Sequence, residues 1–296
     1  MKEFKDKVAV ITGAASGIGR GIANRAVKEG MKVVLADIEA EKLSQTEEEL
    51  KNLGANVISV VTDVSKIEDI ENLANKSLDN FGEVHLLCNN AGVSIPGIIW
   101  EYNLSDWKWI INVNLWGVIH GIHIFVPLML KQDNECHIVN TASMAGLSSV
   151  NPGNSIYTVS KHGVVVLSES LSYELKQVNS KIRVSVLCPG FVNTNVADSE
   201  RNRPSEFCDS NFEPSVEKFI KIHPEYEEPV KLFFQTLKSG TSPDKVGDIV
   251  FQAIKNDEFY ILTHAGYMWK KLVKVRMDRI FEGFEKNKQL LKSLEE

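Results

Sequence analysis

The chain has 296 residues, of which 43% are hydrophobic and 24% charged, so it can bury a sizeable core in one large α/β domain or two small ones. A formal net charge of -6 argues against a nucleic-acid-binding protein, which needs a broad cationic face. The cysteines have no C-x-x-C spacing, so we predict neither a zinc site nor a disulfide framework. No other metal site is predicted, because the histidines lack paired carboxylates at ligand spacing.

The N-terminal segment leads directly into a strand pattern, without the apolar stretch typical of a signal peptide. The longest apolar run, near residues 117–130, is short and is interrupted by His120, His123 and Pro127. We therefore expect a soluble cytoplasmic protein, with no membrane among its partners.

The first unit is an apolar strand, Val8 to Ile11, followed by Thr12-Gly13-x-x-x-Gly17-x-Gly19 and a helical pattern from Arg20 to Glu29. Glycines at this place let the backbone turn tightly and approach a pyrophosphate, whose charge meets the N–H groups at the start of the helix. Glycine turns between a strand and a helix also occur for steric reasons alone, so this turn indicates a cofactor only in combination with the second strand.

The second strand, Lys32 to Ala36, ends at Asp37. A carboxylate at this place can accept hydrogen bonds from both ribose hydroxyls of an adenosine, and it repels a 2'-phosphate. Ser16 and Ile38 carry no charge where a cation would have met that phosphate. The sequence therefore predicts NAD as the cofactor in preference to NADP.

The same alternation continues with helices near residues 39–53 and 66–81 and strands near 57–61, 84–88 and 137–141. Strands that alternate with helices predict a parallel sheet with both faces covered. The fold class expected is α/β: a single doubly wound (Rossmann) domain with a helical substrate lid and a C-terminal helix. Ligands on such sheets bind at the carboxyl ends of the strands, where we find Asp63-Val64, Asn89-Asn90-Ala91-Gly92 and Ser143.

Tyr157 and Lys161 are four residues apart in a segment with helical character, so they share one helix face. An ammonium close to a phenol favours the ionised phenol, which makes the tyrosine usable as an acid or base. Many helices carry such a pair on a solvated face, so the pair alone is weak evidence.

Taken together, these motifs resemble those of the short-chain dehydrogenase/reductase family over about residues 4–195. The markers are the glycine turn, Asn89-Asn90-Ala91-Gly92, Asn114, Ser143, Tyr157-x-x-x-Lys161 and Pro189-Gly190-x-Val192-x-Thr194.

The resemblance implies that Tyr157 exchanges a proton with the substrate oxygen while a hydride moves to or from the nicotinamide. It further implies that Lys161 favours the phenolate and holds the nicotinamide ribose, that Ser143 orients the substrate oxygen, and that Asn114 helps to carry protons to solvent through water. Substrate is thus expected at Ser143 and Tyr157. The positions implied to bind the cofactor are Thr12, Gly13, Ser16, Gly17, Ile18, Gly19, Asp37, Asp63, Val64, Asn90, Tyr157, Lys161, Val192 and Thr194.

We divide the chain into an oxidoreductase domain, residues 1–266, and a C-terminal helical extension, residues 267–296. An insertion at about 191–241 is expected to form a lid, and its aromatic side chains either contact an apolar substrate or pack the lid onto the domain. Those aromatics are Phe207, Phe212, Phe219, Tyr226, Phe233 and Phe234. The largely apolar segment from Ser94 to Trp100 is expected to supply a second wall.

The C-terminal extension replaces the strand and short glycine-rich tail with which many family members end. An apolar stripe on this helix is expected to pack against the domain or a partner subunit. It consists of Met268, Leu272, Val275, Phe281, Phe284, Leu291 and Leu294. From the family we expect a homodimer or homotetramer that uses the helices carrying Asn114 and Tyr157.

The predicted function is NAD-dependent interconversion of a secondary alcohol and a ketone on a bulky, apolar small molecule, similar to a steroid, a terpenoid or an aryl alcohol. One alternative is a reductase of 3-oxoacyl thioesters, which Asp37 disfavours because such enzymes normally use NADP. Another is a non-catalytic NAD-sensing regulator, against which intact Ser143, Tyr157 and Lys161 argue.

Overall fold

A computed structural model describes residues 1–148, 153–208 and 215–295 of the chain. Within these residues a single sheet holds seven strands in the order β3-β2-β1-β4-β5-β6-β7, and every pair is parallel. The strands are β1 Val8–Thr12, β2 Lys32–Asp37, β3 Val57–Val61, β4 Leu86–Asn89, β5 Cys136–Thr141, β6 Ile182–Cys188 and β7 Tyr260–Leu262.

Helices connect these strands and cover both faces of the sheet. The α-helices are α1 Gly17–Lys28, α2 Ala40–Asn52, α3 Ile67–Phe81, α4 Leu104–Ile111, α5 Gly117–Gln132, α6 Ser155–Gln177, α7 Ser215–Ile222, α8 Glu227–Lys238, α9 Pro243–Asn256 and α10 Tyr267–Glu295. The π-helical turn Asn112–Trp116 joins α4 to α5, and the 3-10 helix Val196–Asn202 follows β6.

The strands form because they are nearly continuous apolar runs, which suits a sheet buried on both faces. Ile22, Leu35 and Phe251 are fully buried on one side of the sheet. Leu73 and Phe125 are fully buried on the other. The predicted doubly wound α/β fold is therefore confirmed.

The strand order places the edge of the sheet where ligands bind. The chain leaves β1 toward β2 and β3 on one side and later returns to β4 on the other. In open α/β sheets, the crevice for a ligand lies where the strand order reverses, at the carboxyl ends of the strands. That point is between Thr12 at the end of β1 and Asn89 at the end of β4.

One expectation about the end of the chain is wrong. Residues 260–262 form β7, which pairs in parallel with β6 and completes the sheet. The short strand was missed because only Ile261 is buried in it, while Tyr260 and Leu262 are exposed at the sheet edge. The chain therefore departs from the usual family ending only after β7.

The helix α10 contacts the rest of the chain near its beginning. Trp269 and Val273 pack against the cluster that includes Val164 and Val186. The predicted apolar stripe does not cover the domain, since Phe284 is 69% and Leu294 74% exposed. Packing of this stripe on a partner subunit stays a prediction.

By length and composition, one helical stretch in the described residues is apolar enough to cross a membrane: Leu104–Gln132, with a mean hydropathy of 1.6. Core helices of globular proteins have the same property. Here Phe125 and Met129 of this stretch lie fully buried against the sheet, and the polar residue Asn114 within it is also fully buried.

Candidate active site

The glycine turn after β1 forms one wall of a cleft at the carboxyl end of the sheet. Gly13 has φ +65° and Gly17 has φ +54°, and L side chains rarely adopt this backbone conformation. A Cβ on Gly19 would lie 2.1 Å from the carbonyl oxygen of Gly13, so no side chain fits there. The turn thus presents bare backbone, and α1 begins within it at Gly17 with its N–H groups free to meet an anion.

Thr12 fastens this turn to the end of β4. Its Oγ1 accepts hydrogen bonds from the backbone N–H of Asn90 at 2.9 Å and of Ala91 at 3.1 Å, and it donates to the carbonyl of Cys88. The Asn90 side chain returns a hydrogen bond to the Thr12 carbonyl at 3.0 Å. Thr12 therefore fixes the glycine turn relative to the end of β4 without lining the cleft itself.

Asp37 stands at the end of β2 with its carboxylate held by the backbone. Oδ2 accepts from the N–H of Ala15 at 2.9 Å, and Oδ1 accepts from the N–H of Glu39 at 3.0 Å. Burial raises the pKa of Asp37, and these two backbone donors oppose the shift. Each carboxylate oxygen keeps a further lone pair, so Asp37 can still accept from a ribose hydroxyl.

These walls line one continuous cleft that is open to solvent. A bare glycine wall, a helix N-terminus and a carboxylate make a donor and acceptor set that fits a dinucleotide. Most of the predicted site residues line the cleft: Gly13, Ser16, Gly17, Ile18, Asp37, Asp63, Val64, Asn90, Ser143, Tyr157, Lys161, Val192 and Thr194. Thr12, Gly19 and Asn114 lie outside this lining.

Tyr157, Lys161 and Ser143 meet at one end of the cleft. Tyr157 and Lys161 lie one turn apart on α6, and the Lys161 Nζ is 5.6 Å from the centre of the tyrosine ring. The Lys161 ammonium donates to the carbonyl of Thr141 at 2.8 Å. Ser143 caps the short 3-10 helix Met144–Gly146, where its Oγ accepts from the N–H of Ala145 at 3.1 Å.

The electrostatics of this group differ from the sequence-based expectation. Although Tyr157 faces the cleft, burial raises the pKa of its phenol, and a hydrogen bond with Ser143 opposes the shift. Burial also lowers the pKa of Lys161, to about 8. Burial of the phenol therefore favours its neutral form over the phenolate.

Asn114 lies in the π-helical turn and is fully buried. Its Oδ1 accepts from the N–H of Val93 at 2.8 Å, while its Nδ2 donates to the Val93 carbonyl at 2.9 Å and to the Ser160 Oγ at 3.0 Å. A Cβ on Gly92 would lie 3.3 Å from the Lys161 Nζ and 3.4 Å from the Asn114 Oδ1. Gly92 thus lies between Asn114 and Lys161. Asn114 belongs to a π-helical turn, and such turns often occur at functional sites.

The lid region follows β6, and most of its aromatic side chains pack with one another and with the domain. Phe219 is buried and contacts His223 and Tyr226. Phe233 packs on Phe191 and Phe234. None of these rings lines the cleft, so the packing interpretation holds for them.

Phe207 packs instead beside Trp109 and Ile156 in a cluster under the lid. Phe212 lies outside the described residues. The expected wall from Ser94 to Trp100 does not line the cleft either: Ile95 is buried in the same cluster, and Trp100 is exposed.

Sequence reasoning missed several residues that line the cleft. Apolar surface comes from Val93, Trp109, Val113 and Leu237, and a charged pair comes from Glu39 and Arg201. Trp109 lies one helical turn and a half before Asn114, and this spacing could have indicated that it lies near the site. Nothing in its local pattern, however, distinguished it from a core residue. Arg201 had no signal at all, because its partner is 162 positions away.

A model of the short chain dehydrogenase family matches residues 7–205. A dehydrogenase/reductase of CLA biosynthesis from Lactiplantibacillus plantarum is 36% identical over 285 residues, which cover 95% of each chain. A 1-deoxy-11-beta-hydroxypentalenate dehydrogenase from Streptomyces avermitilis is 33% identical and covers 88% of this chain and 86% of its own.

Among solved structures, a short chain dehydrogenase/reductase from Burkholderia phymatum in complex with NAD superimposes with a TM-score of 0.87. It is 40% identical and covers 96% of this chain and 97% of its own. The extension after β7 is therefore within the length shared with this structure. With the family model, the fold and the cleft in agreement, this chain is an oxidoreductase that belongs to the short-chain dehydrogenase/reductase family.

Proposed function

We propose that the chain interconverts a secondary alcohol and a ketone with NAD as its hydride carrier. The observation that carries this proposal is the placement of Tyr157, Ser143 and Lys161 at one end of a cleft whose other end holds Asp37. A proton-transferring group and a ribose-binding carboxylate along one continuous cleft match the two ends of a nicotinamide dinucleotide.

Tyr157 is the proposed acid and base. When bound, the nicotinamide supplies or accepts the hydride, so the protein has only to move a proton and orient the substrate. In the reduction direction, the neutral phenol favoured by burial donates its proton to the carbonyl oxygen. In the oxidation direction, Tyr157 has first to lose its proton, and the phenolate, stabilised by the Lys161 ammonium, then accepts the proton of the alcohol.

Ser143 and Asn114 have supporting roles in this proposal. The Ser143 Oγ accepts from the Ala145 N–H, so its own proton, which reaches the Tyr157 phenol, can be donated to a substrate oxygen bound beside that phenol. Asn114, buried behind Lys161, fixes the π-helical turn and can take part in proton transfer to solvent through water.

NAD is the proposed cofactor in preference to NADP because the carboxylates of Asp37 and Glu39 both line the cleft at the end of β2, where they would repel a 2'-phosphate. The nearest cation in the lining, Arg201, is already paired with Glu39. Both features disfavour an added phosphate. The structure from Burkholderia phymatum, which holds NAD, supports NAD as a cofactor of this fold.

The proposed substrate has a bulky, apolar body, similar to a steroid, a terpenoid or an aryl alcohol. Val93, Trp109, Val113 and Leu237 offer apolar surface in the cleft beside the reacting end. The hydroxypentalenate dehydrogenase among the relatives supports an alcohol as the group that is oxidised.

We further propose a homodimer or homotetramer and a cytoplasmic location. The long helices that carry Asn114 and Tyr157 leave apolar side chains exposed on their outer faces, which a second copy could cover: Trp116, Leu130, Val159, Val166 and Tyr173.

The cysteines support the proposed cytoplasmic location. All four are free thiols, as expected of a reducing compartment.

The test is a screen of secondary alcohols with NAD and with NADP, and of the matching ketones with the reduced cofactors. Each reaction is monitored by the absorbance of the reduced nicotinamide. We expect turnover of at least one bulky apolar alcohol, with NAD as the better cofactor. Binding of NADH without turnover of any compound would favour the regulator instead, and turnover of 3-oxoacyl thioesters with NADPH would favour the thioester reductase.

A further inference from the structure

An ion pair joins two segments that line the cleft. The Arg201 Nε donates to the Glu39 Oε1 at 2.6 Å, and both side chains line the cleft. Building on the proposed use of NAD, we propose that this pair is a clasp that limits the rate at which the dinucleotide enters and leaves. Glu39 and Arg201 are accordingly gating residues that act on cofactor exchange and not on the chemical step.

The strand order explains why this pair has to span the cleft. Glu39 follows β2, on one side of the point where the strand order reverses, and Arg201 follows β6, on the other side. The ends of β1 and β4, which carry the glycine turn and Asn90, lie between them. The segment after β6 therefore crosses the site where a pyrophosphate would lie, since a Cβ on Gly17 would lie 3.1 Å from the Thr194 side chain, and the contact of Arg201 with Glu39 fastens this segment on the far side.

The Arg201 side chain is held in place at its base by its own segment. Its Nη1 donates to the carbonyl of Asn195 at 3.0 Å and also to the carbonyl of Asp198. The guanidinium therefore reaches Glu39 at little additional cost in conformational entropy. Its side chain is 25% exposed and that of Glu39 is 13% exposed, so water and salt reach the pair and it can open.

Arg203, two residues farther along, shows the contrasting arrangement. Its side chain is only 3% exposed, lies 5.1 Å above the ring of Trp109, and pairs with Asp106 on α4 and with Glu200. Breaking such a buried pair is costly. The root of the lid is thus fixed to α4 by Arg203, while Arg201 provides a contact that can open.

A clasp of this kind has a kinetic signature. Because the closed pair obstructs the path in both directions, its removal should raise the association rate and the dissociation rate of NADH together. The equilibrium affinity should change less than either rate. A side chain that merely contacts the bound cofactor would, when removed, raise the dissociation rate alone.

The experiment is stopped-flow fluorescence of NADH binding to the full chain and to Arg201→Met, Glu39→Gln and Lys42→Met. Lys42 is the matched control, because it also pairs with Glu39, at 2.8 Å, but from within α2 and outside the cleft lining. We expect both rates to rise by about two- to fivefold in the first two variants, the size expected for a partly exposed ion pair. The rates of Lys42→Met should stay near those of the wild type.

Two further measurements separate a clasp from a structural role. The double variant Arg201→Met/Glu39→Gln should show no larger effect than either single variant, because the two side chains act through one contact. Raising the salt concentration from about 0.05 M to about 0.5 M should accelerate exchange more in the wild type than in Arg201→Met, because salt screens the pair.

Unchanged rates in both single variants, a rise in the dissociation rate alone, or an equal effect of Lys42→Met would each overturn the clasp. If the wild type bound no NADH, the proposed cofactor would be wrong, and the clasp would be overturned with it. Normal NADH binding with unaltered exchange in the variants would overturn the clasp while leaving the proposed function intact.

Discussion

The Lys161 ammonium lies 5.6 Å from the centre of the Tyr157 ring, yet its hydrogen bond goes to the backbone carbonyl of Thr141 at the end of β5. The lysine is thus fixed by the sheet and is not held by the phenol it accompanies. Burial raises the pKa of Tyr157 and lowers that of Lys161 to about 8. Both groups are consequently shifted toward their neutral forms: the pKa of Lys161 moves closer to neutral pH, while that of Tyr157 moves away from it, so burial favours the phenol as a proton donor.

Replacing Tyr157 by Phe should abolish turnover while NADH still binds. The substitution removes only the hydroxyl that exchanges a proton, and general acid-base catalysis contributes about 10²- to 10⁴-fold to a rate. We expect a fall in kcat of at least about 10³-fold, measured as nicotinamide absorbance with the best alcohol from the screen, and an NADH affinity within about threefold of the wild type.

Tyr173→Phe is the matched control, since Tyr173 lies on the same helix but is 66% exposed on its outer face. Its turnover should equal that of the wild type. Activity retained by Tyr157→Phe would show that another group transfers the proton.

Lys161 should make the stability of the protein depend on pH. Its pKa is 10.5 in the unfolded chain and about 8 in the folded protein, so between these values the unfolded chain binds more protons. Stability contributed at this site therefore rises with pH through that window and is lowest below pH 8. The full difference corresponds to about 3 kcal/mol as an upper limit.

Lys161→Met isolates this effect, because the variant cannot titrate at this position. The free energy of unfolding in urea, measured for both proteins from pH 7.5 to 10, should increase more steeply with pH in the wild type. Parallel curves for the two proteins would mean that Lys161 keeps an ordinary pKa in the fold.

Asp37→Ala should weaken the preference for NAD over NADP. The variant loses the acceptor for the ribose hydroxyls and also a carboxylate that repels a 2'-phosphate, and like charges placed together cost several kcal/mol. We expect the ratio of kcat/KM for NAD to that for NADP to fall by about tenfold or more.

Glu41→Ala removes a carboxylate of the same charge from the exposed first turn of α2, outside the cleft lining, and should leave this ratio unchanged. An unaltered ratio in Asp37→Ala would instead assign the cofactor preference to other residues.

Gly19→Ala should disrupt the glycine turn. The new Cβ would lie 2.1 Å from the Gly13 carbonyl oxygen and 2.7 Å from the Asn90 Nδ2, so the backbone has to move. We expect a loss of about 1–3 kcal/mol in the free energy of unfolding and at least tenfold weaker NADH binding, measured by urea denaturation and fluorescence titration.

Gly283→Ala tests the same substitution without a clash, since nothing lies within 4 Å of its added Cβ in α10. This variant should bind NADH normally and gain up to about 1 kcal/mol, because alanine favours helix. Equal behaviour of the two variants would show that the turn tolerates a side chain.

Much of the cleft follows from local sequence. The apolar runs of β1 and β2, the glycine turn between β1 and α1, and the acidic residue at the end of β2 are short-range features, and each has its own physical cause. The helical spacing of Tyr157 and Lys161 likewise depends only on 3.6 residues per turn. For this reason most predicted residues line the cleft.

Other features depend on long-range packing. Most aromatic side chains of the lid pack against neighbouring rings and do not line the cleft. No local pattern in the sequence indicates this packing. The balance of charges at Tyr157 depends on how deeply the surrounding elements bury it.

The sequence by itself determined most of the order of strands and helices, although not β7, together with the bare backbone of the glycine turn and the chemistry available at the strand ends, since these depend on residues close together in the chain. Only the tertiary structure decided that Arg201 meets Glu39, that Trp109 and Leu237 line the cleft, and that burial raises the pKa of Tyr157. The physical reason is that these contacts join segments far apart in the chain, and the strand order and the packing of the helices bring such segments together.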